Sequence, residues 1–185
     1  MFQKLIKNLA FELNQNKIPY IIIGGQAVLL YGEPRLTKDI DITLGFGPEN
    51  LKEVNKIVYD LSLKILVKNA GDFVNKTMVL PVIDEKSGIK IDFIFSFTHY
   101  EKQAIKRAKK VKILGYNVNF ASLEDLLIHK IISGRERDIE DTINILLKNR
   151  KFNKPYINKW LKEFDKSLNS DYLGIFRSIL EKLFA

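Results

Sequence analysis

Asp39 and Asp41, one residue apart in the segment KDIDIT, carry the clearest chemical signal in this chain. Side chains alternate between the two faces of a strand, so these carboxylates project together while Ile40 and Ile42 turn into the core. Two carboxylates held side by side repel each other unless a cation sits between them, and hard oxygen donors of this kind suit a divalent metal ion. Asp92 is a third acid of interest. It lies in Ile89 to Phe95, where Ile89, Ile91, Phe93 and Phe95 share an apolar face and Lys90, Asp92 and Ile94 share the other. A lone acid in so apolar a strand is costly to bury without a partner. A metal shared with Asp39 and Asp41 would supply that partner, and a salt bridge to a nearby Lys or Arg would serve equally well.

The elements that must position these acids are legible from periodicity and punctuation. Tyr20 to Ile23 is a continuous apolar run typical of a buried strand. Gly24 and Gly25 follow, permitting a tight turn and close approach of a ligand to the backbone, and a helix from Gln26 to Tyr31 then offers its first N–H groups to an anion. As plain turn chemistry the glycine pair needs no function. A polar loop with Arg35 and Thr37 leads into the strand Asp39 to Leu44. Upstream, apolar residues at helical spacing mark residues 2 to 15 as an amphipathic helix. Downstream, the pattern predicts a helix from Glu49 to Asp60, a strand from Leu63 to Val67, a loop from Asn69 to Asn75 and a hairpin joining Thr77–Ile83 to Ile89–Phe95. His99 to Ala108 reads as a helix running into the densest basic stretch of the chain, Lys102, Lys106, Arg107, Lys109, Lys110 and Lys112, which as a solvated helix end needs no nucleic acid to explain it. Val111 to Leu114 and Asn117 to Phe120 read as a second hairpin turning at Gly115-Tyr116.

From Ser122, an N-cap with Asp125 three residues on, the chain reads as helical. Leu123, Leu126, Leu127 and Ile131 form one stripe, and Lys130 shares it, so its ammonium either snorkels to solvent or reaches into a cleft. His129 falls off the stripe and reads as a surface residue. After Gly134 a helix directs Ile139, Ile143, Leu146 and Leu147 inward, with Arg137–Asp141 and Arg135–Asp138 as ordinary helix ion pairs. A helix starting near Pro155 and another capped by Ser170 complete the chain.

Composition narrows the function. With 185 residues, 46% of them hydrophobic, the chain suits one domain or a domain with a helical extension. The absence of cysteine excludes disulfides, thiolate catalysis and Cys-based zinc sites, and two histidines make a His-rich metal site untenable. No apolar run is long enough to span a bilayer and the first residues lack a secretory cleavage pattern, which points to a cytoplasmic protein without a membrane partner. The formal charge of +8 favours a polyanionic partner, although a Lys-rich solvating surface accounts for it as well.

The ordered blocks Gly24-Gly25, Asp39-Ile40-Asp41 and Asp92 resemble the polymerase β-like nucleotidyltransferase superfamily. Within it, GEPRLTKDIDI and the later LEDLLIHK with GRERDIED resemble the AbiEii/AbiGii type, small transferases some of which are toxins of toxin–antitoxin pairs. Many superfamily members have Gly-Ser where this chain has Gly24-Gly25, which leaves backbone N–H groups to hold phosphate. The resemblance implies an α/β fold of the α+β type, with a small mixed sheet and flanking helices over residues 1–120 and a helical region over 121–185. It implies an enzyme that moves a nucleoside monophosphate from an NTP to a hydroxyl on RNA, tRNA included, or on protein. Two Mg²⁺ ions, with Mn²⁺ as an alternative, would be held by Asp39, Asp41 and Asp92. Gly24, Gly25, Arg35, Thr37 and Lys130 would serve the nucleotide, Lys130 by neutralising phosphate charge, and Arg137, Asp138 and Asp141 match a secondary motif of less settled role. An antitoxin protein is an implied partner. The alternative is a decayed transferase that binds nucleotide, RNA or a partner without catalysis.

Overall fold

The computed structural model describes every residue except Arg35, Phe97 and Ala185. In chain order the elements are α1 (Phe2–Gln15), β1 (Tyr20–Ile23), α2 (Gly24–Tyr31), β2 (Asp39–Leu44), α3 (Leu51–Asp60), β3 (Lys64–Ile65), α4 (Ala70–Thr77), β4 (Val79–Asp84), β5 (Ile89–Phe95), α5 (His99–Lys106), β6 (Lys109–Ile113), β7 (Tyr116–Phe120), α6 (Leu123–Ser133), α7 (Glu136–Lys148), α8 (Lys154–Leu168) and α9 (Tyr172–Phe184). They form two compact units, one of Met1–Gln26 with Leu36–Ala121 and one of Ala27–Arg35 with Ser122–Ala185.

The first unit is built on a seven-stranded mixed sheet of order β3-β4-β5-β2-β1-β7-β6. The β2–β5 and β1–β7 pairs are parallel and the remaining pairs antiparallel. This is the mixed-sheet α/β architecture expected from the sequence. Strand parity assigns its faces. One carries Tyr20, Ile22, Ile40, Ile42, Leu44, Phe93, Phe95, Val118 and Phe120, all buried. Helix α1 packs on β6 and β7 on this side, where Phe11 meets the Tyr116 ring edge-on at 5.9 Å and Asn14 Nδ2 donates to Tyr116 Oη at 3.0 Å. The opposite face carries the acids.

Several local expectations are corrected. Asn69 to Asn75 is not a loop: the Asn69 side chain accepts from the Asp72 N–H at 3.2 Å and starts the short helix α4. The strand expected from Leu63 to Val67 contracts to Lys64–Ile65. Gly24 and Gly25 are the first two residues of α2 rather than a turn before it. Lys109 and Lys110 lie on the edge strand β6, not at a helix end, and Lys112 lies there as the expected hairpin arm has it.

In the second unit Ser122 caps α6 as expected, accepting from the Asp125 N–H at 3.2 Å, and Gly134 ends that helix in the left-handed region. Helix α8 is tied to α6 by Tyr156 Oη, which donates to Asp125 Oδ1 at 2.8 Å. Asn149 Nδ2 donates to the Tyr31 carbonyl at 2.7 Å, so α7 holds the last turn of α2. The cap of α9 is Asp171, which accepts from the Gly174 N–H at 3.0 Å, assisted by Asp165 on the Tyr172 N–H at 2.5 Å; Ser170 does not play that part. His129 is half-buried rather than a surface residue, and burial holds its imidazole below the usual pKa.

Helix α7 is turned relative to the sequence reading. Its buried residues are Asp138, Asp141, Thr142, Ile145 and Leu146, while Leu147 is exposed. The reason is Lys130, 6% exposed on α6, whose ammonium donates to Asp138 Oδ1 and, at 2.8 Å, to Asp141 Oδ2. Ser133 Oγ donates to the second Asp138 oxygen at 2.6 Å. The two acids expected to pair with Arg135 and Arg137 along the helix surface are therefore inside. Burial alone would raise the Asp138 pKa, but the hydrogen bonds from Lys130 and Ser133 and the charges of Lys130 and Arg135 outweigh it and hold the carboxyl below its ordinary value. That depression is a stabilising contribution present above the unfolded carboxylate pKa and lost as pH falls through the lower folded value. Removing one partner of a buried ion network strands the others. Lys130→Met is therefore expected to lower the unfolding free energy by about 3–5 kcal/mol in urea titrations at neutral pH, with much of the loss restored when Asp138→Leu and Asp141→Leu are added.

Candidate functional site

The first unit brings the three acids of the sequence onto one face of its sheet. Asp39 and Asp41 lie two residues apart on β2, and the parallel register of β2 with β5 sets Asp41 directly opposite Asp92. The same register sets Asp39 opposite Lys90. Across four strands the row reads Ile23, Asp41, Asp92, Pro81, so the central pair of carboxylates is flanked by apolar side chains. Asp41 and Asp92 are half-buried, while Asp39 and Lys90 are exposed. Burial pushes the Asp92 carboxyl above its ordinary pKa, the Asp39 charge adds to the effect, and Lys90 opposes it.

Gly24 explains why a side chain is missing where β1 passes into α2. Its φ is +62°, and a Cβ built there would lie 1.8 Å from Asp41 Oδ2. The Asp41 carboxylate thus sits against the backbone of the first residue of α2, where the helix dipole favours negative charge. Gly25 follows in the first turn and is buried. Thr37, 7% exposed, accepts a hydrogen bond from Gln26 Nε2, which also reaches the Asp39 carbonyl at 3.4 Å. The Gln26 amide therefore clamps the entry of β2 to the start of α2, and Thr37 orders the loop before the first acid. Arg35 lies outside the described residues.

Two residues near the acids were given no role by the sequence reading. Lys90 shares the face and the row of Asp39, a placement that depends on which strand pairs with β5. Gln26 is the one polar residue in the apolar run IIIGGQAVLLY, a signal that was there to be used. Lys130, Asp138 and Asp141 belong to the second unit and are joined to one another. Arg137 is exposed on α7.

The donor set suits a hard divalent cation, but it is not a closed cage. Among the described residues no group of three or more Asp, Glu or His side chains is drawn together closely enough to hold a metal ion. Magnesium is commonly held through one or two carboxylates together with substrate phosphates. The carboxylates therefore fit an ion that completes its coordination with a bound triphosphate. No helix among the described residues is long and apolar enough to cross a membrane.

Solved structures share this fold. A nucleotidyltransferase-like protein from Paracoccidioides brasiliensis superposes with a TM-score of 0.65 at 20% identity, covering 97% of this chain and 87% of its own. The antibiotic-resistance factor ANT(2'')-Ia gives 0.53 at 16% identity, covering 97% and 91%. The lincosamide antibiotic adenylyltransferase LnuA gives 0.50 at 19% identity, covering 72% and 89%. No curated protein matches the sequence. Residues 2–172 match the family described as "Nucleotidyltransferase of unknown function (DUF6036)", and the chain with its acidic sheet face belongs to that family of nucleotidyltransferases.

Proposed function

We propose that the protein transfers a nucleoside monophosphate from an NTP to a hydroxyl of RNA and releases pyrophosphate. The observation that carries this reading is the placement of Asp41 opposite Asp92 on adjacent parallel strands, with Asp39 on the same face and the Asp41 carboxylate against Gly24. Bound Mg²⁺, with Mn²⁺ as an alternative, would supply neutralisation of the triphosphate and polarisation of the phosphorus under attack. Asp39 and Asp41 would hold it. The N–H groups of Gly24 and Gly25 would receive phosphate oxygens, as free amides at a helix start do. Lys90 supplies a cation on this face, the task first assigned to Lys130, whose ammonium is engaged by Asp138 and Asp141. Asp92, with its raised pKa, is suited to accept the proton of the attacking hydroxyl. That oxygen bonds to the α-phosphorus, the bond to the bridging oxygen of the β-phosphate breaks, and pyrophosphate carries away the electron pair. Where the modified RNA is one that a cell needs, the same chemistry acts as a toxin and calls for an antitoxin partner.

A second reading is favoured by one observation, the absence among the described residues of a closed acidic metal group. It holds that the fold is kept for binding nucleotide or RNA without transfer.

The two readings separate on product. With α-labelled NTP, Mg²⁺ and total RNA, Asp41→Asn and Asp92→Asn are each expected to lower label transfer by about 10²-fold or more, with unchanged circular dichroism. Binding of Mg²⁺–ATP by the wild-type protein with no labelled product in any RNA or protein fraction would establish the second reading.

Asp92 is also expected to cost stability. A carboxyl whose folded pKa is raised favours the protonated folded state, so stability falls as pH rises from the ordinary carboxylate pKa through the raised one. With chelator present, Asp92→Asn is expected to melt higher than wild type at neutral pH, the difference vanishing below the ordinary carboxylate range. A lower melting temperature for the variant at neutral pH would show that the carboxylate is paired and stabilising.

A further inference from the structure

Strand parity extends the acidic face to the far edge of the sheet. Ile22 pairs with Phe120, so Asn119 and Asn117 of β7 share the side of Asp41. Their register partners on β6 are Lys110 and Lys112, which therefore lie on that side too. Lys110, Lys112 and Asn117 are exposed. Among the described residues neither lysine meets a carboxylate within ion-pair distance. The other face of the same two strands carries Val118 and Phe120 under α1. The basic stretch that seemed only a solvated helix end is thus sorted by the strand, with two of its cations on the side of the acids.

We propose that this β6–β7 face is a track for the phosphates of a single-stranded RNA acceptor, an assignment that deepens the reading above and rests on it. Lys110 and Lys112, two residues apart on a strand, are spaced about 7 Å, comparable to successive phosphates of an extended strand. From β6 to β5, the strand of Asp92, are four strand spacings, about 19 Å, a few nucleotides of chain. An acceptor gripped by its backbone at Lys110 and Lys112 can therefore place its terminal hydroxyl at Asp92. The side-chain amides of Asn117 and Asn119 give the track uncharged hydrogen-bonding groups between the cations and the acids. Lysines on an edge strand also guard against edge-to-edge pairing, and that role predicts no dependence of RNA affinity on these two residues.

The test is binding of a fluorescent single-stranded RNA 20-mer by anisotropy across a salt series, without NTP. Lys110→Gln with Lys112→Gln is expected to weaken binding roughly tenfold or more at low salt and to flatten the log–log salt slope by about 1.4, at about 0.7 per lost phosphate contact. Lys52→Gln with Lys56→Gln on α3 removes the same charge and is expected to leave the slope unchanged. Equal slopes for wild type and the β6 variant, or no RNA binding by wild type, would overturn the proposal. Asp41→Asn separates it from the catalytic reading. RNA binding that is intact in that variant and sensitive to the β6 lysines supports the track even where no transfer is detected. RNA labelling undiminished in the β6 variant removes the track and leaves the reaction standing.

Discussion

The parallel pairing of β2 with β5 places two half-buried carboxylates opposite each other, and everything chemical about this protein depends on that pairing. Asp92 by itself opposes folding, because burial and the charge of Asp39 both penalise its ionised form. The structure offsets this in part. Asp41 lies against the start of α2, and Lys90 lowers the pKa of Asp92 that burial and Asp39 raise.

The second unit shows what the chain does when buried acids serve packing. Asp138 and Asp141 share the ammonium of Lys130, with Ser133 completing the hydrogen bonding, and the carboxyl of Asp138 ionises more readily than it would in water. The same side-chain type thus appears in two opposite electrostatic states within one chain. A buried acid that is fully paired is a structural element whose removal exposes its partner's charge. A half-buried acid facing another acid is poised for a ligand that carries positive charge or for a proton in transit.

How much of this was legible depends on how local the determining interaction is. Asp39 and Asp41 could be assigned to one face because a strand has period two, and Ser122 could be read as a cap because the acceptor and its N–H are three residues apart. The place of Asp92 followed only as far as its own strand. That β5 lies beside β2, in the register that opposes Asp41 and Asp92, is a non-local fact with no signature in either segment. The error on α7 is of the same origin. Its apolar residues suggested an inward face through Ile139 and Leu147, and nothing within the helix reveals that Lys130, on another helix, makes two acids suitable for the interior. Helix α4 was missed because eight residues with a glycine and an asparagine carry little periodicity, while its cap, Asn69, was the readable signal.

Gly24 shows why the glycine pair is more than turn chemistry in this fold. A turn would need only a positive φ, which asparagine tolerates nearly as well. The 1.8 Å approach of a would-be Cβ to Asp41 Oδ2 adds a demand that no other residue meets, since any side chain would displace the carboxylate from the start of α2. The glycine is therefore coupled to an acid seventeen positions downstream. On the proposed reading the N-terminus of α2 would have two claims on its partial positive charge, the Asp41 carboxylate and an incoming phosphate. Lys90 lies on the same face and, on the proposed reading, would supply a cation to that phosphate.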